Sequence, residues 1–203
     1  MGKPILYGIA NSRAFRSLWA AEEIGLDYEH VQTSFRGDAQ EASYLAVNPN
    51  GRIPALVDGD LKLFESMAIN MYLARAYGDG LLPTDASLEA QTWQWSIWGI
   101  SEIEPFQMQI VVQKFFVPED RRDETVVDQA LRGLRRPLDV LEAHLKQRDY
   151  LLGDQFTLAD LNLAGVMDLL SLAEVSVDEW PAVRAWLDSC YARQSFAAAK
   201  SLS

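Results

Sequence analysis

The feature that most constrains this chain is a change of pattern near residue 80. Before it, short strand-like runs alternate with helical stretches, and after it nothing has the period of a strand. Residues 4–8 are a short apolar run suited to a buried strand. Asn11 or Ser12 then offers an N-cap for a helix over residues 13–24, with Phe15, Leu18, Trp19 and Ile24 as its apolar stripe and Gly25 placed to end it. Residues 28–33 read as a second strand, and 38–47 as a short helical stretch closed by Asn48-Pro49. Residues 55–57 and 61–64 flank Asp58-Gly59-Asp60, a strong hairpin signal. Ser66 is placed to cap a helix marked by Ile69, Tyr72, Leu73 and Ala76, with Gly78 beyond its end. The order is β-α-β-α-β-β-α. It consists of a βαβ unit, expected to be parallel with a right-handed crossover, and then a hairpin and a helix. That order predicts an α/β thioredoxin-like N-terminal domain over residues 1–78.

Residues 79–87 are a turn-rich linker around Gly80 and Pro83. Long amphipathic segments follow, near 88–116, 124–147, 158–172, 181–193 and 196–201, and they predict an all-α C-terminal helical bundle domain over 88–203. Pro105 and Pro137 fall inside two of these segments and predict kinks. Thr157-Leu158-Ala159-Asp160 has the spacing of a capping box with Asp in place of Glu or Gln, and Phe156 precedes it as a candidate hydrophobic staple.

Charge and composition narrow the classes of partner. The net charge of -11 argues against nucleic acid and anionic membranes. No apolar run reaches the roughly 18 residues of a membrane span, and residues 1–7 lack the layout of a signal peptide. One cysteine, Cys190, permits neither an intrachain disulfide nor a CxxC pair, which suits a reducing, cytoplasmic location. It reads as a small buried hydrophobe. His30 and His144 are far apart in sequence, so no metal site is expected.

Three places in the first 78 residues carry candidate chemistry. In Asn48-Pro49-Asn50-Gly51-Arg52-Ile53-Pro54-Ala55-Leu56, a proline stands directly before a strand. If Ile53-Pro54 is cis, the turn offers the Ile53 N–H and C=O to an extended peptide ligand, which pairs as an added strand. The plainer reading is a loop-to-strand proline. Glu65-Ser66 begins a helix whose free N–H groups favour a carboxylate, while the Glu65 carboxylate suits an ammonium. Together they fit the α-amino-acid end of a γ-glutamyl peptide, against the plainer reading of a cap beside a surface acid. Ser12 lies between strand one and helix one, where its hydroxyl can donate to a ligand thiolate and the helix start adds positive potential. Tyr7 and Asn11 are competing donors, with Tyr7 more simply a core or subunit-facing aromatic.

These segments resemble the cytosolic glutathione transferase superfamily, and the resemblance covers the whole chain. Residues 48–56 are similar to its NP-x-G-x-(V/I)-P-x-L segment and 63–69 to its L-x-E-S-x-A-I segment. Phe156 to Asp160 resembles its helix-capping segment. Trp180-Pro181, Trp186 and Arg193-Gln194-Ser195-Phe196 resemble its closing pattern, with Gln194 where proline is common. The resemblance implies glutathione as co-substrate, no metal, a cytoplasmic homodimer, and transfer of the glutathione thiolate to an electrophilic or peroxidic small molecule. A non-catalytic binding module and a specialised lyase, dehalogenase or isomerase are the alternatives. It implies that Ile53, with Pro54, binds the cysteinyl backbone, that Glu65 and Ser66 bind the γ-glutamyl end, and that Arg52 reaches the peptide or its glycine carboxylate. Ser12-Arg13-Ala14-Phe15-Arg16 resembles the serine-type, bacterial-like members, which makes Ser12 the thiolate-stabilising residue, with Asn11 and Tyr7 open. The chain departs from the Ser-Ser-Cys segment of the isomerase-type class and lacks the active-site cysteine of the omega-like and beta-like classes. The electrophile is expected between the domains. Trp98, Glu102 and Phe106 are candidates to line its site, Trp98 sharing a helix face with Trp95, against the plainer reading of inter-helix core.

Overall fold

The computed structural model describes residues 2–202. The N-terminal unit, Met1–Thr84 with Ala192–Ser203, is built on a four-stranded sheet of order β2-β1-β3-β4. Strand β1 (Ile5–Tyr7) runs parallel to β2 (Glu29–Val31) and antiparallel to β3 (Ala55–Asp58), which pairs antiparallel with β4 (Leu61–Phe64). Helix α1 (Phe15–Glu23) forms the crossover. A 3-10 turn (Asp38–Gln40) and the short α2 (Ala42–Leu45) precede β3, and α3 (Ser66–Ala76) follows β4. This is the thioredoxin-like order expected. Leu6 and Leu56 are cross-strand neighbours and are buried, as are Phe15, Leu18 and Trp19 of α1 and Ile69 and Leu73 of α3. Each such side chain contributes about 1.5–3 kcal/mol of hydrophobic stabilisation.

Two helix starts differ from expectation. Helix α1 begins at Phe15, not at Arg13, because Ser12 closes a turn ahead of it: the Ser12 carbonyl accepts the Phe15 N–H at 3.0 Å. Ser66 is the first helical residue rather than the cap. The N-cap position belongs to Glu65, whose backbone (φ 71°, ψ 115°) makes the corner between β4 and α3.

The last helix, α9 (Gln194–Lys200), packs on α1. Phe196 meets Phe15 and Trp19 edge-on at 5.2 and 5.1 Å. The Trp19 indole donates to Ser195 Oγ at 3.0 Å, and the Arg193 guanidinium grips both oxygens of Glu23.

The second unit, Asp85–Tyr191, is helical. Asp85 Oδ1 accepts the Ser87 and Leu88 N–H groups at 3.0 Å and starts α4 (Ala86–Trp98). The helix continues through a π-helical segment, Gly99–Ile103, into α5 (Glu104–Phe115). Pro105 therefore sits in the first turn of α5, where its missing N–H leaves no gap, and the wider π turn absorbs the irregularity expected there. Pro137 lies inside α6 (Glu124–Leu145). Helix α7 (Leu158–Leu172) is buried over its first ten residues, and α8 (Pro181–Tyr191) has its Ala182 and Val183 amides accepted by Glu142 Oε2 of α6 at 2.9 and 3.1 Å. Among the described residues no helix is long and apolar enough to cross a membrane.

The capping box of α7 is present and extends beyond its own helix. Asp160 Oδ2 accepts the Thr157 N–H and hydroxyl at 2.9 and 3.0 Å, while Oδ1 accepts the Leu151 N–H at 2.7 Å and the Trp186 indole at 3.0 Å. Burial pushes the Asp160 carboxyl above the ordinary value, and these donors oppose the shift. Both oxygens are needed as acceptors, and an amide supplies one. Asp160→Asn is therefore expected to cost roughly 2–4 kcal/mol by leaving buried donors against an NH2 group. An unchanged midpoint in urea unfolding would contradict that role.

Candidate functional site

The strand register brings three corners to one end of the sheet. Tyr7, Ala55 and Phe64 form a row across β1, β3 and β4, so Gly8, Pro54 and Glu65 are the residues just beyond that row. Gly8 has φ +145°, and a Cβ there would lie 2.2 Å from Ala14 Cβ and 3.6 Å from Ile53 Cβ. Only glycine lets the head of α1 and the Ile53 turn close on the end of β1. Gly8 is also tied to β2: its N–H donates to Val31 O at 3.1 Å, and its carbonyl is 2.9 Å from His30 Nε2.

In the next turn Ser12 Oγ donates to Ile9 O at 2.7 Å and accepts the Ala14 N–H at 3.0 Å. The hydroxyl is half-buried and held by two backbone groups, while Asn11 beside it is exposed. Tyr7 packs edge-on against Tyr44, ring centroids 5.7 Å apart, on a cluster formed by Ala39, Tyr44, Ile53 and Ala55.

The segment from 48 to 54 is held by Asn48 within it and by Tyr44 and Gln40, which sequence reasoning did not single out. The buried Asn48 donates from Nδ2 to Arg52 O at 2.6 Å and accepts the Asn50 N–H at 3.1 Å. Tyr44 Oη donates to the same Arg52 carbonyl at 2.6 Å, and Gln40 Nε2 donates to Gly51 O at 2.8 Å. Burial raises the Tyr44 hydroxyl to about 12, which keeps it a donor. The Ile53-Pro54 bond is cis. Among the described residues neither the N–H nor the C=O of Ile53 takes an intramolecular hydrogen bond. The Arg52 side chain is exposed. An Asn immediately before Pro favours a turn, so Asn48 carries a local signal. Tyr44 and Gln40 carry none.

At the third corner Glu65 is exposed and has a positive φ, a conformation that costs a non-glycine residue about 1–3 kcal/mol and clusters at functional sites. Ser66 is 6 % exposed. The Ile69 N–H is bonded to Glu65 O at 3.0 Å, which leaves the amides of Ser66, Met67 and Ala68 as the unsatisfied head of α3, a ready anion site.

Trp98, Glu102 and Phe106 belong to the helical unit. Trp98 stands edge-on to Trp95 at 5.2 Å, and Trp95 lies 4.6 Å from His144. Glu102 is exposed on the π-helical segment. Phe106 covers Gly133 of α6, where a Cβ would come within 2.3 Å of the ring, so Phe106 serves inter-helix packing. Cys190 is free and buried. Among the described residues no group of three potential ligands could hold a metal ion.

Residues 3–75 match the family model for the glutathione S-transferase N-terminal domain, and 103–194 that for the C-terminal domain. Glutathione S-transferase 3 of Zea mays is 39% identical over 201 residues, covering 94% of this chain and 90% of the relative. A glutathione S-transferase of Hyoscyamus muticus is 35% identical over 96% of each. The solved structure of a glutathione S-transferase-I bound with lactoylglutathione matches with a TM-score of 0.89 at 34% identity over 100% of both chains. A family member from Pseudomonas fluorescens, with two glutathione bound, matches with a TM-score of 0.90 at 29% identity over 99% of this chain and 93% of the other. The chain belongs to the glutathione S-transferase family.

Gly8 is the residue on which the corner geometry rests. Gly8→Ala would set a methyl 2.2 Å from Ala14 Cβ on a backbone that disfavours any side chain. The expected result is a loss of roughly 3 kcal/mol or more, or no folded protein. Wild-type thermal stability for this variant would contradict the packing described.

Proposed function

We propose that this chain binds glutathione at the Gly8–Pro54–Glu65 end of its sheet and directs the thiolate at an electrophilic or peroxidic small molecule. The observation that carries this reading is the convergence there of groups of three kinds: the Ile53 backbone pair, the amide head of α3, and the Ser12 hydroxyl. The cysteinyl backbone of the tripeptide adds as a short strand on Ile53. The γ-glutamyl carboxylate takes the Ser66 N–H and hydroxyl at the start of α3, and Glu65 takes the ammonium. Arg52, exposed beside Ile53, is the cation for the glycine carboxylate.

Ser12 then activates the thiol. Its oxygen stays held by the Ala14 N–H, while its proton turns from the Ile9 carbonyl to the sulfur. A hydrogen bond to the thiolate favours that form, and the thiol proton passes to solvent. The sulfur attacks the electrophilic atom, the new bond to sulfur forms, and the leaving group departs with its electron pair. Tyr7 is committed to packing on Tyr44, which favours Ser12 over it. Trp98 and Glu102 are the candidates in the helical unit for contact with the second substrate. The exposed Trp93, Ile97 and Ile100, at helical spacing along α4 and the π-helical segment, suit a face shared with a second copy in a homodimer. A single buried cysteine fits a reducing cytoplasm.

The test is conjugation of an aryl halide. Ser12→Ala is expected to lower kcat about 10- to 100-fold, the worth of one hydrogen bond to a charged group, with little change in glutathione KM. Glu65→Gln is expected to do the reverse, raising glutathione KM about tenfold with kcat nearly kept. Absence of glutathione binding at millimolar concentration in the unmodified protein would overturn the reading.

A further inference from the structure

We infer that His30 is a positioning residue for the turn that carries Ser12, an inference that rests on Ser12 as the thiol-activating group. A carbonyl can only accept, so the 2.9 Å contact with Gly8 O places a proton on His30 Nε2. The other donor to this carbonyl among the described residues is the Thr33 N–H, at a longer 3.4 Å. The parallel ladder ends at the pair Tyr7 and Val31, so Gly8 is the first residue of the turn. It is also the residue with the widest backbone freedom, at φ +145°.

The Ile9 carbonyl follows directly on the Gly8–Ile9 peptide, and it receives the Ser12 hydroxyl at 2.7 Å. The imidazole thus fixes one end of the Gly8–Ile9 peptide, and the next carbonyl along fixes Ser12 Oγ. Without the ring's donor, the Gly8 carbonyl keeps only the longer bond from the Thr33 N–H, and the Gly8–Ile9 peptide is held less firmly. The Ile9 carbonyl shifts, and the hydroxyl loses the alignment on which charge stabilisation at the sulfur depends. The sites assigned to the γ-glutamyl end lie on the far side of the sheet's order, at β4 and α3, and β2 does not pair with either. His30 is therefore expected to act on thiol ionisation and not on glutathione affinity.

The experiment compares His30→Leu, His30→Gln and Ser12→Ala by the pH profile of kcat/KM and by the ultraviolet absorbance of the bound thiolate. In His30→Leu the acid limb is expected to move up by about half to one pH unit, and kcat/KM below it to fall about three- to tenfold, the size of one lost hydrogen bond. The glutathione dissociation constant stays within about twofold. His30→Gln, whose amide can donate to Gly8, restores the wild-type profile. If His30→Leu does not fold, His30→Met takes its place in the comparison. A variant that is less stable but keeps the wild-type profile, or a His30→Gln profile that stays shifted, overturns the inference. If Ser12→Ala itself leaves the profile unchanged, the role of Ser12 fails with it. If Ser12→Ala shifts the profile and His30→Leu does not, His30 alone is wrong.

Discussion

The candidate site depends on the close approach of Ala14 and Ile53 to Gly8. A side chain at Gly8 would push the head of α1 away from the end of β1. The Ser12 turn and the Ile53 turn would then no longer close on the end of β1 as the proposed site requires. The strand register extends the same constraint to the third corner, because the row Tyr7, Ala55, Phe64 forces Glu65 to the same end of the sheet. Two antiparallel pairings and one glycine thus bring residues from distant parts of the sequence to one end of the sheet, the Ser12 turn and Glu65 among them.

The site is costly for the fold. It leaves the Ile53 backbone without an internal partner, leaves the α3 amides uncapped, and holds Glu65 at φ 71°. Each is a local loss that a purely structural corner would avoid. The surrounding structure offsets them with a dense set of bonds one step back from the Ile53 turn. Asn48 and Tyr44 both hold the Arg52 carbonyl, and Gln40 holds Gly51. In the helical unit, Asp160 plays a comparable fastening role, gathering donors from Leu151, Thr157 and Trp186.

Much of this is legible in the sequence where the signal is local. The βαβαββα order, the Asp58-Gly59-Asp60 hairpin, the bounds of α7 and its capping box follow from spacing over a few residues, and so does the Asn48 to Leu56 segment. What escapes is non-local or depends on backbone angles. Gln194 is not a residue that marks a helix start, and nothing in 194–200 announces that Phe196 packs on Phe15 and Trp19. Ser66 has the chemistry of a cap, yet the positive φ of Glu65 moves it into the helix. For Phe106 the sequence leaves a pocket role and inter-helix core side by side, and the notch at Gly133, which no local pattern marks, shows that it packs between α5 and α6. The link from His30 to Gly8 joins residues 22 positions apart and has no sequence pattern.

Glutathione held at one end of the sheet, with Ser12 at its sulfur and Ile53 at its cysteinyl backbone, is the assignment on which the proposed chemistry rests. A crystal structure of the protein with glutathione tests it most directly. The expected result is Ser12 Oγ as the nearest hydroxyl to the sulfur, within hydrogen-bond distance, and both Ile53 backbone groups paired with the tripeptide. A sulfur held by Tyr7 Oη or Asn11, or a tripeptide that leaves Ile53 unpaired, would contradict it.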